Sequence, residues 1–240
     1  MFDAITADVK TVAGLVDVSR QVVDRGIPAT DSVIFGDLVR AYNANFDTAA
    51  LNSAVANYLG LLNVTGLNTI TYTDATPTVG ELYPKIADAV RQIAEGVFLP
   101  GNAIFMAPRR WAWFLAALDT QNRPLVVPQP QGPNNAMGAV GPPTAEGAVG
   151  SIMGVNVYIT ANMPLTLGAG ANEDRIVIVR RSELMLFEDN RGPYLERFDD
   201  IGSANLTVRF RLHNYVAQCN MRRPKAISVI SGTGLVPPTW

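Results

Sequence analysis

The stretch ANLTVRFRLHNYVAQC, residues 204–219, alternates apolar and polar side chains for longer than a strand usually runs. On an extended chain Leu206, Val208, Phe210 and Leu212 share one face, and Thr207, Arg209, Arg211 and His213 the other. A period of two with one apolar row predicts a long, half-exposed strand. It is broken at Arg223-Pro224, and residues 226–230 predict a last short strand. Upstream, residues 184–187 continue the β character, while 155–160 and 175–179 read as strands, the second apolar on both faces.

Further out the period changes. Ile34, Leu38, Tyr42, Phe46 and Ala50 recur every four residues, with Val33, Val39 and Ala49 beside them, which predicts a long amphipathic helix over 31–51. After Pro28, the side chains of Thr30, Asp31 and Ser32 offer N-cap oxygens, and Asp31 is favourably placed against the helix dipole. Asn52-Ser53 closes or bends this helix. Residues 68–73 alternate as a strand; 79–95 predict a helix with Leu82, Ile86, Val90 and Ile93 on one side and Pro84 in its first turns. Residues 103–107 form a short apolar strand, and Pro108 opens a helix that runs to about Leu118. The fold class is α+β.

Charge is scarce and segregated. Charged residues make up 17% of the 240-residue chain, against about 25% in an ordinary soluble domain. From Pro124 to Asn172 the only charged residue is Glu146, and from Ala41 to Thr73 it is Asp47. Residues 174–223 instead hold nine arginines and seven acids. The tract at 128–150 is too rich in Gly, Pro, Gln and Asn for regular structure. Such a tract is either a loop or is ordered against other protein, since interfaces tolerate these residues where a free surface prefers Lys and Glu. Arginine outnumbers lysine sixteen to three, as suits contacts between subunits, or as a GC-rich genome would give.

Chemistry is hard to place. One cysteine, Cys219, and one histidine, His213, leave no multi-cysteine zinc set and no internal disulfide. No phosphate-binding, nucleophile-elbow or HExxH motif occurs, so no cofactor is expected. His213 sits on the charged face of the ribbon, and Cys219 reads as a small packed hydrophobe. Asp199 and Asp200 are adjacent and point apart, which removes a shared acid–base site. Asp174, Glu183, Glu188 and Asp189 are expected to pair with Arg175, Arg180, Arg181 and Arg191. On a helix Arg110, Trp113 and Phe114 share a side, and the tryptophans pack the lobe. A formal charge of -2 argues against a broad cationic face for nucleic acid. With no cationic leader and no apolar run of ~18–20 residues, the chain is expected to be cytosolic and off the membrane.

The order of segments carries a resemblance. VDVSRQVVD (16–24), DSVIFGDLVRAY (31–42), FMAPRRW (105–111) with Asp119 and Arg123-Pro-Leu125, and finally Arg223-Pro224 together resemble the HK97-fold major capsid proteins of tailed phages. The resemblance implies a spine helix at 31–52 in a peripheral domain of residues 11–66 and 183–222, completed by a long antiparallel ribbon near 183–222, and a mixed α/β axial domain of residues 67–182 and 223–235. It implies copies of itself as partners, in pentamers and hexamers of a DNA-containing shell. Portal, scaffold or decoration proteins are further partners, and packaged DNA is held without sequence readout. The chain would be assembled in the bacterial host cytoplasm and located in the virion. The expected intersubunit contacts are Pro130, Asn134, Asn135, Met137 and Glu146 in the low-charge tract, with Arg181, Glu188, Asp189, Arg191, Arg197, Arg209 and Arg211. The family's N-terminal arm and extended hairpin are expected to be absent, because few residues precede Val16. Lys10, Lys85 and Lys225 are therefore not assigned the cross-linking role a hairpin lysine has in some members. An encapsulin shell protein is the alternative, and a small-molecule enzyme would instead show a deep pocket of converging titratable groups.

Overall fold

A computed structural model describes residues 5–26, 30–128, 138–140 and 147–238. In chain order the elements are β1 (Lys10–Ser19), α1 (Arg20–Arg25), α2 (Thr30–Asn52), β2 (Ala54–Val55), β3 (Tyr58–Leu59), β4 (Asn68–Thr71), α3 (Val79–Val97), β5 (Ala103–Met106) and α4 (Pro108–Ala116). There follow β6 (Val126–Pro128), β7 (Gly138–Val140), β8 (Ala148–Ile152), β9 (Val155–Ile159), β10 (Ile176–Val179), β11 (Met185–Glu188), β12 (Tyr194–Gly202), β13 (Thr207–Cys219) and β14 (Ile227–Ser231). The chain divides into two compact units, Met1–Gly60 with Met185–Cys219, and Leu61–Leu184 with Asn220–Trp240.

In the first unit β13 pairs antiparallel with β1 along one edge and with β12 and β11 along the other. Its even-numbered row is buried: Val208, Phe210 and Leu212 pack with Leu38 and Tyr42 of α2, flanked by Val12, Val16, Ile34 and Phe35. The rings of Phe35 and Phe210 meet edge to face at 5.3 Å. Two buried amides finish the fit. Asn214 donates to the Tyr42 hydroxyl at 2.9 Å. Gln218 donates to the carbonyls of Ala49 at 3.3 Å and Tyr58 at 3.1 Å, satisfying an acceptor near the end of α2 and one in the hairpin that follows. Leu206 departs from the expected buried row. Its φ is 51° and it is exposed; the turn puts its carbonyl where the Arg20 N–H donates to it at 2.8 Å. Strand β1 had no counterpart among the sequence expectations, while β12 lies within the antiparallel ribbon expected near 183–222.

The second unit is an eight-stranded mixed sheet in the order β4-β14-β10-β5-β9-β8-β7-β6. Every residue of β10 is buried, as its IVIV run requires. Helix α3 covers the sheet with Leu82, Ile86, Ala89 and Ile93, all fully buried, while Val90 of the expected face is only partly so. A capping box starts it: Thr78 accepts from the Glu81 N–H at 3.3 Å and Glu81 accepts from the Thr78 N–H at 3.1 Å. With its start held, α3 runs through Pro84, its sixth residue. Helix α4 opens on Pro108 as expected and stops at Ala116, where the Ala117 N–H turns back to Phe114. The tract at 128–150 is not wholly irregular. It contains β7 and part of β8, paired antiparallel with Gly138 opposite Ile152.

Phe210 is fully buried under α2. Phe210→Ala should lower the unfolding free energy by about 3–5 kcal/mol, read by urea denaturation followed by circular dichroism.

Candidate functional site

The arginine-rich segment builds one charged sheet face in the first unit. Odd-numbered residues of β13 point away from α2, and the register sets Asp17 opposite Arg209 and Glu196 opposite Arg211. Arg209 grips Asp17 through two nitrogens, at 2.6 and 2.7 Å. Arg211 donates twice to one Glu196 oxygen, at 2.9 and 2.6 Å, and lies 4.7 Å over the Phe198 ring. On the α2 side, Arg197 bridges Asp31 at 2.9 Å and Asp199 at 3.0 Å. His213 stacks on Tyr194 at 4.9 Å, with its Nδ1 3.6 Å from Glu196. The Tyr194 hydroxyl donates to Asp189 at 2.8 Å.

These bonds set the titration. The Arg209 hydrogen bond holds the Asp17 carboxyl below its ordinary value, and the Tyr194 hydroxyl does the same for Asp189. In return Asp189 pushes the Tyr194 phenol up.

Of the residues predicted at subunit contacts, Arg197, Arg209 and Arg211 thus meet carboxylates of their own chain. Asp189 and Arg191 share the turn after β11, where the Arg191 N–H approaches Asp189 at 3.5 Å. Glu188 ends β11, exposed. Arg181 belongs to the second unit and donates to the Tyr158 hydroxyl at 2.8 Å. Pro130, Asn134, Asn135, Met137 and Glu146 lie outside the described residues.

The expected pairing of acids with nearby arginines is overturned at two positions. Asp174 is fully buried and pairs with Arg109 at 2.8 Å and Arg110 at 3.0 Å, while Arg175 goes to Glu173 at 2.8 Å. Glu183 faces Arg223 at 3.4 Å. Neighbours on an extended chain point to opposite sides, so Asp174 and Arg175 cannot share a pocket. Arg110 is fully buried; burial pulls its pKa down, and Asp174 opposes that. Its Nη2 also donates to the Val236 carbonyl at 2.9 Å. Trp111 and Phe114 are buried as expected, and Trp113, partly buried, lies under the Arg110 guanidinium at 4.8 Å.

Architecture and site together describe a chain whose charges are largely spent on itself. Solved structures give the class. The fold is that of the HK97-type capsid proteins: a chain from Mycobacterium phage Adephagia superposes with a TM-score of 0.67 at 14% identity, covering 97% of this chain and 74% of that one. A capsid chain of an empty GTA particle gives 0.68 at 16% identity, covering 95% and 73%. The holo-SrpI encapsulin of Synechococcus elongatus gives 0.63 at 13% identity, covering 97% and 76%. No curated protein matches the sequence. The chain belongs to the phage capsid family, whose model matches residues 1–232. It is a structural subunit of a shell.

Two measurements check this chemistry. Asp174→Asn leaves two arginines without their carboxylate and should cost about 3–5 kcal/mol of stability in urea. Arg110→Met should cost less, because Arg109 still holds Asp174. For Asp17 the folded pKa lies below the ordinary 3.8, so its contribution is present above that pH and lost as pH falls through the lowered value. An NMR titration should place the Asp17 midpoint below 3.8, and Arg209→Ala should return it toward 3.8.

Proposed function

We propose that this subunit builds an icosahedral phage capsid from pentamers and hexamers that enclose DNA. In this reading the first unit is the peripheral domain and the second the axial domain. The tract at 128–150, with Pro130, Asn134, Asn135, Met137 and Glu146, meets neighbouring copies around the capsomer axis. Arg181, Glu188, Asp189, Arg191, Arg197, Arg209 and Arg211 form the polar part of the contacts, where ion pairs set register more than affinity. DNA is enclosed without being read, in keeping with a net charge of -2. Portal, scaffold or decoration proteins would join the shell, which assembles in the host cytoplasm. The family match over residues 1–232 carries the reading.

The likeness to an encapsulin supports a second reading, a compartment holding protein cargo. Particles free of nucleic acid would favour it.

Mass photometry and negative-stain imaging of the purified chain, across concentration and salt, should show pentamers, hexamers or closed particles. A chain that remains monomeric throughout removes the proposal. Asn134→Glu with Met137→Glu should leave the circular dichroism and thermal midpoint unchanged while abolishing rings; intact rings would count against an axial position for the tract.

A further inference from the structure

Most arginines of the described residues meet a carboxylate of their own chain, as Arg20, Arg91, Arg123, Arg175, Arg209 and Arg211 do. One corner of the second unit departs from this. Arg180 directly follows β10, and Arg222, Arg223 and Lys225 stand in the connection from β13 to β14. Antiparallel pairing brings the two segments together: Val179 stands opposite Ile227, and the Arg180 N–H donates to the Ala226 carbonyl at 3.0 Å. The carboxylates nearest in the fold are engaged, Glu183 by Arg223 at 3.4 Å and Glu95 by Arg91 at 2.6 Å. Arg180 spends its donors on the Ser182 hydroxyl and the Pro100 carbonyl. Arg222 and Lys225 are exposed and, among the described residues, pair with no carboxylate.

The same corner carries an aromatic ring. Helix α3 ends at Val97, and the next residue, Phe98, holds φ 60° and ψ 18°. That left-handed position ordinarily belongs to glycine, or sometimes asparagine, because a Cβ crowds the following carbonyl oxygen. Burial of the ring does not compensate: Phe98 is 90% exposed, the highest value among the exposed large apolar side chains of the described residues. Its loop is tied to the cations on both sides. Lys225 packs on Gly96, where an added Cβ would lie 2.7 Å from the lysine's own, and Arg180 reaches the Pro100 carbonyl at 3.3 Å. The last turn of α3 holds no basic residue, and its carbonyls favour a cation beside them. That accounts for Lys225 alone, and leaves the rest of the cluster and the exposed ring without a use inside the chain.

We infer that this corner holds a strand of the enclosed nucleic acid, with Arg222, Arg223 and Lys225 on phosphates and the Phe98 ring against a base. The inference rests on the reading of the chain as a subunit of a shell that encloses DNA, and supplies the surface at which the two meet. A chain of net charge -2 repels a polyanion as a whole, so contact needs a place where cations locally outnumber acids. Arginine forks match phosphate oxygens, and an aromatic face accepts any base. Neither contact reads sequence. A second copy is the poorer partner, because the acids that would meet these cations are largely matched within their own chain.

Fluorescence anisotropy of labelled single-stranded and duplex oligonucleotides with the purified chain, between ~50 and ~200 mM salt, tests this. Arg222→Gln with Lys225→Gln should keep the thermal midpoint and weaken both oligonucleotides. It should also flatten the plot of log affinity against log salt, by about 0.9 per lost contact on the duplex and about 0.7 on the single strand. Phe98→Gly, in which glycine suits the φ of 60°, should leave the salt slope unchanged and weaken the single strand at least about fivefold. Its effect on the duplex should be small, so the two arms separate stacking from phosphate contact. An unchanged slope for the double variant overturns the inference, as does an unchanged single-strand affinity for Phe98→Gly or a wild-type chain that binds neither oligonucleotide. Variants that keep both affinities but lose particles in mass photometry make the corner a contact between copies, which overturns it too. The shell reading fails separately: a chain that binds through this corner yet never leaves the monomer keeps the surface and removes the shell.

Discussion

The packing of Val208, Phe210 and Leu212 against α2 is the interaction on which the first unit depends, because β13 is the strand to which β1, β11 and β12 all pair. Magnitudes separate its two faces. Each fully buried apolar side chain contributes about 1.5–3 kcal/mol, whereas an exposed ion pair contributes about 0–1. The apolar row therefore holds the sheet to the helix. The ionic row does something else. A slip of one residue would turn every side chain of β13 to the wrong face; it would also take Arg209 from Asp17 and Arg211 from Glu196. Two weak bonds placed directly across strands thus reinforce a register that packing already favours.

In the second unit the comparable constraint is polar. Two arginines converge on the buried carboxylate of Asp174, and a set of apolar side chains of similar volume would be about as stable there. What the charges add is direction. Asp174 and Arg110 stand on different elements, and both also bind the chain near its end: the Asp174 N–H donates to the Leu235 carbonyl and Arg110 to that of Val236. Three segments distant in sequence are fixed to one another by bonds that accept only one geometry.

These two constraints were not equally legible. Helices α2 and α3 and strands β10 and β13 follow from hydrophobic period, since each buries one clear face or both. Strand β12 does not. Glu196, Arg197, Asp199 and Asp200 give it the composition of a loop, and it is a strand because β13 offers it an edge. Strand β1 is obscured in the same way by Leu15, which is 63% exposed on its outer face. The abundance of arginine predicted ion pairs but not their partners: the carboxylate for Arg110 lies 64 residues away, beyond any local pattern. Nor does propensity place a phenylalanine in a left-handed cap. The sequence pattern ends this helix at residue 95, two residues before the observed end at Val97.

Solubility before assembly limits how a shell subunit can carry its contacts. A continuous apolar patch would make the free chain associate without order. Here Leu15, Phe98, Phe187, Ile201 and Leu206 are exposed on separate elements, while the ionic residues nearest the sheet are mostly matched within the chain. Where each contact between two copies is small, an error can dissociate before a shell closes. Many copies in a closed shell multiply the same small contacts. Such a subunit gains most from side chains held rigidly in exposed positions, since a fixed ring loses less freedom when it docks.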